Sequence, residues 1–344
     1  MRVAVDVMGS DLGVLEVVDG AAMISLDSSS DINVVLVGSL QEINAALMKK
    51  AHDPARISVV AAEEFVGQGD DPQKGLRENT SVYRAAMLVR QGKADAMISA
   101  GNTGAVIRSA SCLFSRLPEV RRAALAAVYP TELTHGPKED PFALMLDVGA
   151  TLHVEAYDLA VFAVMGAAYA KVISANPAPK VALLSNGQEA SKGAPEVVVA
   201  HQKLLSLQHI NFIGNVEGLD IPKGTADVIV CEGFLGNVAL KMLEGVSEVA
   251  VELAKDAYAR KFLWRLGLTM LAKGLHQLRG MMDWKQYGGA PILGFDQIVI
   301  KAHGRSNSRA IHNAIKVAAK AVRGQLTEQI RRGVLELEQG DQRA

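Results

Sequence analysis

Short apolar runs alternate with longer amphipathic segments from one end of the chain to the other. Runs such as residues 33–37, 57–61 and 143–146 are apolar without strict alternation, which is typical of strands covered on both faces. Between such runs, apolar residues recur at helical spacing, as in 12–26 and 81–91. The pattern predicts an α/β protein with a mostly parallel sheet.

The later part of the chain continues this pattern with longer helices. The stretch 154–174 is rich in small residues, so we expect a deeply packed helix there. Residues 131–141 indicate a loop, because they contain two proline turns. We expect the last helix to end near 332, so that one domain spans 1–332 and a frayed polar tail occupies 333–344.

The most informative stretch is 95–105, where a short apolar strand runs into a turn bracketed by Gly101 and Gly104. A helical pattern starts directly after this turn. Free backbone N–H groups and the positive end of a helix dipole then point at one small volume, which favours an anion. Asn102 and Thr103 add side-chain donors. Two structural alternatives stay open: Thr103 caps the helix, and the glycines only permit the turn.

Similar turns follow four other apolar strands, at residues 6–11, 147–151, 185–189 and 232–237. Each combines glycine with Asp, Asn or Glu before a helical pattern. In an open α/β sheet the carboxyl ends of parallel strands lie along one edge, where ligands bind. The five turns together predict one composite pocket.

Composition and charge narrow the class of protein. The 344 residues are 49% hydrophobic and carry a net charge of −1, which gives no support to a nucleic-acid role. The two cysteines form neither a zinc spacing nor a disulfide framework, which fits a reducing cytosol. There is no signal-peptide pattern and no apolar stretch approaching the ~20 residues of a membrane span. We therefore expect a cytoplasmic protein.

Several familiar active-site motifs are missing. The dinucleotide fingerprint, the P-loop, the Gly-x-Ser-x-Gly elbow and metal-ligand spacings of histidine are all absent, so we expect neither a metal nor a cofactor. Asn237 and Lys241 lie four residues apart, hence on one helix face, and suit an oxyanion and a phosphate. Lys192 and His303 also follow strand-end turns. The alternative to a role in binding or catalysis is, for each of these residues, a purely structural or solvent-exposed position. We expect Cys231 to be a small buried hydrophobic side chain that completes its strand rather than a nucleophile.

An ordered set of motifs resembles the bacterial phosphate acyltransferase family over roughly residues 2–330. The motifs are Asp6-Val-Met-Gly, Ser99-Ala-Gly-Asn-Thr-Gly-Ala105, Asp147-Val-Gly-Ala150, Gly214-Asn-Val-Glu-Gly218, Gly233-Phe-Leu-Gly-Asn-Val238 with Lys241, Tyr287-Gly-Gly-Ala-Pro291 and Lys301-Ala-His-Gly304. Some positions depart from the family pattern: Ser10 replaces a glycine, Thr151 an asparagine and Glu232 an aspartate, and residues 77–81 contain fewer basic residues than is usual.

The resemblance implies transfer of a fatty acyl group from acyl carrier protein to inorganic phosphate, giving acyl phosphate. It also implies a three-layer α/β/α fold like that of isocitrate and isopropylmalate dehydrogenases, related to phosphotransacetylase. The implied partners are a second copy of the chain, in a homodimer, and a membrane glycerol-3-phosphate acyltransferase that takes the product.

We take Asn102, Asn237, Lys241 and His303 as candidate catalytic residues. The candidate substrate-binding residues share a place at a strand end or helix start: Asp6, Gly101, Thr103, Gly104, Asp147, Asn186, Lys192, Gly236, Lys301 and Ser306.

In the expected reaction a phosphate oxygen attacks a thioester carbonyl and expels a thiolate. A thiol pKa of ~8.5 makes this a tolerable leaving group without a strong general acid. Helix starts and a lysine would hold the phosphate, an asparagine would stabilise the oxyanion, and His303 would orient phosphate or protonate sulfur. Three alternatives remain: a phosphotransacetylase that uses coenzyme A, a dehydrogenase of the same fold, and a non-catalytic membrane adaptor.

Residues 258–285 form a basic amphipathic segment. No acidic residue occurs from 257 to 282, and the only two tryptophans of the chain bracket the stretch. This composition predicts a helical segment on an anionic membrane surface, with the protein held peripherally at the inner membrane. The expected membrane contacts are Trp264, Leu266, Met270 and Leu271. The alternative is a helix pair in the core or the dimer contact, with the basic residues facing solvent or carrier protein.

Overall fold

Eleven strands form one continuous sheet in the part of the chain that the computed structural model describes, residues 1–260, 267, 269–271 and 288–341. Their order across the sheet is β3-β2-β1-β4-β11-β10-β5-β6-β9-β7-β8. The strands are β1 Arg2–Asp6, β2 Asn33–Gly38, β3 Ile57–Ala61, β4 Ala96–Ser99, β5 Ala124–His135, β6 Asp140–Leu146, β7 Lys180–Leu184, β8 Asn211–Val216, β9 Val228–Val230, β10 Ala290–Leu293 and β11 Ile298–Lys301.

Helices cover both faces of this sheet. They are α1 Val14–Leu26, α2 Leu40–Leu47, α3 Ser81–Arg90, α4 Thr103–Leu113, α5 Ala156–Val172, α6 Pro195–Leu205, α7 Asp220–Lys223, α8 Gly233–Arg260, α9 Ser308–Arg323 and α10 Leu326–Asp341, with a 3-10 helix at Pro72–Leu76. One apolar core packs α1, α5, α9 and α10 on the first face, and a second core packs α3, α4 and the start of α8 on the other. The predicted three-layer α/β/α fold is confirmed.

Helix α5 is buried almost all round, as its small residues predict. Every residue from Asp158 to Ala170 is buried. A Cβ added at Gly166 would lie 2.4 Å from a Val228 methyl, so the glycine lets the helix approach β9 closely. On its outer side Val164 packs over Gly333 of α10.

Strand direction changes in the middle of the sheet. Seven neighbouring pairs are parallel and three are antiparallel, the latter being β11–β10, β10–β5 and β5–β6. As a result β6, β7, β8 and β9 run opposite to β1, β2, β3, β4 and β11. The mostly parallel sheet is confirmed, but the assumption that all five glycine turns share one edge is wrong. The turns after β1, β4 and β11 lie on a first edge, and those after β6, β7 and β9 lie on a second edge.

Two local predictions are also wrong. Residues 131–141 are mostly strand, because β5 and β6 pair as a hairpin from Ala126 with Leu146 to His135 with Asp140. The expected frayed tail is helical up to Asp341, since Val334 and Leu337 are buried in the first core. The single last helix is divided at Gly324, where Gln325 has a φ of 51°.

Most of the predicted membrane segment, including Trp264 and Leu266, lies outside the described residues. Met270 and Leu271, which the structure describes, are 79% and 61% exposed. Among the described helices, none has the length and apolar character that crossing a membrane requires.

Candidate functional site

Three polar side chains lie side by side at the first edge. Asp6, Ser99 and Lys301 occupy one row of the sheet, because Ser99 is the register partner of both neighbours. Ser99 Oγ donates to Asp6 Oδ2 at 2.6 Å and accepts from the N–H of Gly101 at 3.0 Å. The N–H of Met8 donates to Asp6 Oδ1 at 3.1 Å. This row therefore fixes the two turns that follow β1 and β4.

Burial shifts both charged members of the row. It raises the pKa of Asp6 to about 6, against the opposing effects of bonds from Ser99, Ser81 and Met8 and of the Lys301 charge. Burial also lowers the pKa of Lys301 to about 8, against the attraction of Asp6 and Asp11. Each charge therefore favours the other, and both groups titrate close to neutral pH.

Asn102 holds the turn that was predicted to bind an anion. Its Oδ1 accepts from the N–H of Ala105 at 3.1 Å and so caps α4. Its Nδ2 donates to the carbonyls of Gly67, Gln68 and Asp70, at 3.0 to 3.3 Å. The side chain that was predicted as an oxyanion donor therefore binds the preceding loop.

The same loop covers the start of α4. A Cβ added at Gly104 would lie 2.8 Å from the Pro72 ring, so this ring is seated on the glycine. Gln68 Nε2 donates to the carbonyls of Gly9 and Ala100, both at 3.0 Å. Gly101 is buried and Thr103 is half-buried at the first position of the helix. Access of an anion to this helix start is consequently restricted by residues 67–72.

His303 is half-buried at the end of β11 in its neutral form. Burial lowers its pKa below the usual value, against the charge of Glu244. The N–H of Arg305 donates to His303 Nδ1 at 3.1 Å, which places the ring proton on Nε2. Ser306 is buried, and its N–H donates to the His303 carbonyl. Neutral His303 thus carries its ring proton on Nε2 at this edge.

At the second edge, Asp147 organises the turn after β6. Its Oδ1 accepts from the N–H groups of Leu125, Gly149 and Ala150, and its Oδ2 accepts from that of Thr151, at 2.6 to 3.1 Å. Burial raises the pKa of this carboxyl and the four N–H groups oppose the rise. The carboxylate, predicted to bind substrate, has its acceptor positions filled by the backbone around it.

The start of α8 packs directly on this turn. A Cβ added at Gly236 would lie 2.0 Å from the carbonyl oxygen of Asp147, and one at Gly233 would lie 2.5 Å from that of Thr151. Asn237 Nδ2 donates to the carbonyl of Val148 at 3.1 Å. Asn237 therefore joins helix and turn, and its amide donor is in use as that of Asn102 is.

The turn after β7 carries the exposed side chains of Asn186 and Lys192. A buried pair that sequence reasoning missed supports it. His201 Nδ1 and Asn215 Oδ1 lie 2.8 Å apart, and Asn215 Nδ2 donates to the Glu189 carbonyl at 3.0 Å. The only signal for Asn215 was its place in another strand-end glycine turn.

Helix α8 connects the two edges. Near its start it contacts the turn after β6, and further along it reaches the turn after β11. There Lys241 Nζ lies 2.7 Å from Glu244, and Arg305 lies 3.9 Å from Glu248. The charges of Glu244 and Lys241 act on His303. Of the predicted catalytic residues, the structure thus brings Lys241 and His303 to one place. Within the described ranges no cluster of three or more His, Cys, Asp or Glu side chains suits a metal ion.

Comparison with known proteins gives a match over almost the whole chain. The model of a family described as fatty acid synthesis protein matches residues 1–329. A phosphate acyltransferase of Halothermothrix orenii is 39% identical over 325 residues, covering 94% of this chain and 95% of the relative. A phosphate acyltransferase of Desulfitobacterium hafniense is 41% identical over 335 residues, covering 96% and 97%.

Solved structures show the same fold at lower identity. A phosphotransacetylase from Streptococcus pyogenes superposes with a TM-score of 0.62 at 20% identity, covering 94% of both chains. A branched-chain phosphotransacylase from Enterococcus faecalis gives 0.57 at 15% identity, covering 94% of this chain and 99% of the other. These likenesses confirm the predicted relation to the phosphotransacetylase fold. The family match over residues 1–329 and the relatives at 39% and 41% identity show that the chain belongs to the fatty acid synthesis protein family, the family of these phosphate acyltransferases.

Proposed function

We propose that this protein transfers a long-chain fatty acyl group from acyl carrier protein to inorganic phosphate, reversibly, for phospholipid synthesis. The observation that carries the proposal is the match of the whole chain to phosphate acyltransferases at 37–41% identity. The residues of the ordered motifs that the structure describes lie at the two sheet edges and along α8. The choice of acyl carrier protein as the donor and of a long acyl chain as the transferred group rests on the family resemblance.

The reaction needs little chemistry from the protein. A phosphate oxygen attacks the thioester carbonyl, a C–O bond forms, and the tetrahedral intermediate collapses with loss of the C–S bond. The electron pair leaves on sulfur, and the thiolate is protonated afterwards. Because a thiolate is a good leaving group, the proposal assigns no metal or organic cofactor. The protein positions a dianion and stabilises the developing oxyanion.

The hydrogen bonds of the candidate catalytic residues support different roles for some of them from those that the sequence predicts. Asn102 and Asn237 hold backbone carbonyls with their amide donors, so both act by shaping their turns. His303, with its proton on Nε2, is the side chain suited to donate to the oxyanion or to the departing sulfur. The charge of Lys241 acts on the pKa of His303, while its Nζ lies 2.7 Å from Glu244, and a contact of Lys241 with phosphate stays a prediction. Asn186 and Lys192 keep their predicted role, which is to contact the substrate.

An acyl-hydroxamate assay tests the function. The purified chain is incubated with phosphate and one of three donors: palmitoyl-carrier protein, palmitoyl-coenzyme A or acetyl-coenzyme A. We expect hydroxylamine to trap palmitoyl hydroxamate only when phosphate and palmitoyl-carrier protein are both present. Acetyl hydroxamate as the main product would instead favour a short-chain phosphotransacetylase. Activity that requires a nicotinamide cofactor would reject acyl transfer.

We further propose a homodimer that works in the cytoplasm at the inner membrane surface and passes acyl phosphate to a membrane glycerol-3-phosphate acyltransferase. The dimer is supported by an apolar line along the exposed side of α8. Its members are each 39–66% exposed: Leu235, Val238, Met242, Val246, Val249 and Leu253. Such a line at spacings of three and four is typical of helix–helix contacts. Sedimentation velocity of wild type and of Val246→Glu distinguishes a dimer that uses this line from a monomer.

A further inference from the structure

The segment from 115 to 122 separates its charges into two groups. Arg121 lies 2.9 Å from Glu155, and its guanidinium is 4.8 Å above the Tyr157 ring. The carboxyl of Glu119 interacts with that of Glu338 on α10. Arg121 and Glu119 are therefore committed to the side of the sheet where α5 and α10 pack.

Arg116 and Arg122 form the other group, called here the arginine pair. Both are exposed, and neither has a carboxylate within 4.0 Å among the residues that the structure describes. The Arg116 guanidinium lies 5.7 Å from the Phe295 ring centre. Burial and then the like charge of Arg122 lower the pKa of Arg116, against the charge of Asp158. Two like charges therefore act on each other where the described residues place no carboxylate within 4.0 Å, and such a place favours binding of an anion.

The backbone places this pair beside the turn that Asp147 organises. Arg122 directly precedes Ala123, whose carbonyl accepts from Thr151 Oγ1 at 2.9 Å. Two residues further on, the N–H of Leu125 donates to Asp147 Oδ1 at 2.8 Å.

The pair also lies where the two oppositely directed halves of the sheet meet. The N–H of Leu117 donates to the carbonyl of Gly294, at the end of β10, at 3.0 Å. A Cβ added at Gly294 would lie 3.2 Å from the Arg122 carbonyl oxygen. The arginine pair therefore stands at the second edge, next to turn 147–151 and at the centre of the sheet.

We propose that Arg122, supported by Arg116, binds the phosphate dianion at the second edge, beside turn 147–151. This inference rests on the proposed acyl transfer to phosphate, and it names a residue for that substrate which sequence reasoning did not single out. A guanidinium offers two parallel N–H donors that match two oxygens of phosphate.

The test compares Arg122→Gln with Arg121→Gln, its neighbour in sequence. Inorganic phosphate binding to the full chain is measured by calorimetry, and KM is measured for phosphate and for the acyl donor. We expect Arg122→Gln to weaken phosphate binding by roughly 10- to 100-fold, the range of a charge-assisted hydrogen bond. Arg122→Lys should recover part of this loss, Arg116→Gln should show a smaller loss, and Arg121→Gln should bind as wild type does. Circular dichroism checks that each variant is folded.

Each outcome decides the inference. Unchanged phosphate binding in a folded Arg122→Gln overturns it, as does an equal loss in Arg121→Gln. A higher KM for the acyl donor with an unchanged KM for phosphate would assign the pair to carrier-protein docking instead, and so also overturns it. Wild type that binds phosphate through Arg122 without acyl transfer would support the inference while rejecting the proposed function. Acyl transfer with normal phosphate kinetics in Arg122→Gln would support the proposed function and overturn the inference about Arg122.

Discussion

Two aspartates follow strands in similar motifs, Asp6-Val7-Met8 and Asp147-Val148-Gly149, and each binds the N–H two residues further on. Their surroundings differ in one respect. Asp147 is surrounded by backbone N–H groups alone, whereas Asp6 interacts with a serine hydroxyl and the charge of a buried lysine. Asp147 therefore shapes a turn, and Asp6 couples a turn to a titratable group.

Replacing Asp6 should make stability respond differently to pH. The folded pKa of Asp6 is raised from 3.8 to about 6, so its contribution is fully present below 3.8 and is lost as pH rises through 6. Relative to Asp6→Asn, wild type should lose about 3 kcal/mol of unfolding free energy between pH 3.5 and 7. Urea unfolding of both proteins across this range measures the difference. Glu42→Gln, at an exposed position of α2, controls for the loss of one negative charge, and a parallel pH response in all three proteins would contradict the assignment.

His303 should affect turnover rather than phosphate affinity. If its Nε2–H stabilises the transition state, His303→Ala should lower kcat by about 10²-fold with little change in KM for phosphate. Burial keeps the pKa of His303 below 6.5, so the neutral ring persists and wild-type kcat should stay level from pH 7.5 to 6.5. A pH–rate profile of wild type and His303→Gln checks this. An inflexion above pH 6.5 that disappears in the variant would contradict a neutral donor.

Sequence reasoning located the polar residues at this scale but not their partners. Asn102 lies in a glycine turn at a helix start, and the residues next to it in the sequence predict both the turn and the helix start. Its amide binds three carbonyls that are 32 to 35 residues earlier in the chain, in a loop with no recognisable motif. A side chain with two donors and two acceptors can serve a ligand or a loop, and only the fold decides between them.

At the scale of elements, helix starts and strand ends are tied by close backbone packing. The first turn of α8 touches the backbone of turn 147–151 at two glycines, Gly233 and Gly236. A side chain at either position would meet backbone atoms, which cannot rotate away. Gly233 and Gly236, which belong to one of the five turns of the predicted pocket, are therefore required for packing, whatever else the turn binds.

The contrast between two glycines of α8 tests this packing. Gly236→Ala places a Cβ 2.0 Å from the Asp147 carbonyl oxygen, so we expect a loss of about 1–3 kcal/mol or more in unfolding free energy. Gly245→Ala, in the same helix, meets nothing within 4 Å and should stabilise by about 0.5–1 kcal/mol. Chemical denaturation of both variants measures the pair. Equal effects would mean that helix propensity outweighs contact with the turn.

Element types were easier to predict than element ends. Uninterrupted apolar runs predicted the strands well, since burial on both faces removes alternation. The end of α10 was missed because its polar composition concealed buried positions at Leu326, Ile330, Val334 and Leu337, spaced four, four and three residues apart. That spacing is the helical signal, and composition alone hid it.

For the whole molecule, the reversal of strand direction was not predictable from local pattern. An apolar strand reads the same in both directions, and the tip of the hairpin formed by β5 and β6 lies in the stretch expected to be a loop. That hairpin is one of three antiparallel pairings that together turn the second half of the sheet around. Pairing between strands distant in sequence therefore places the turns of the predicted pocket on two edges of the sheet. The three layers and the mostly parallel sheet, by contrast, could be predicted from the pattern of apolar residues.

Membrane association is a property of the whole molecule that can be tested directly. The predicted basic segment 258–285 should bind anionic vesicles and release them as salt rises. Met270→Glu with Leu271→Glu places two acids at exposed apolar positions and should reduce binding. Met48→Glu, at another highly exposed methionine, is the control. Sedimentation with anionic and neutral vesicles measures binding, and wild type that stays in the supernatant with both would reject the prediction.

The length of α8 has a consequence for how the protein behaves on dilution. Its 28 residues extend about 42 Å, yet the side chains from Val246 to Asp256 are all exposed. A helical stretch of this length whose side chains are all exposed is marginal in water. We therefore expect the distal part of α8 to gain order from whatever packs on it, so that helix content itself becomes concentration-dependent. Far-ultraviolet circular dichroism across a dilution series would then report dissociation as a loss of helix, before any change in the core.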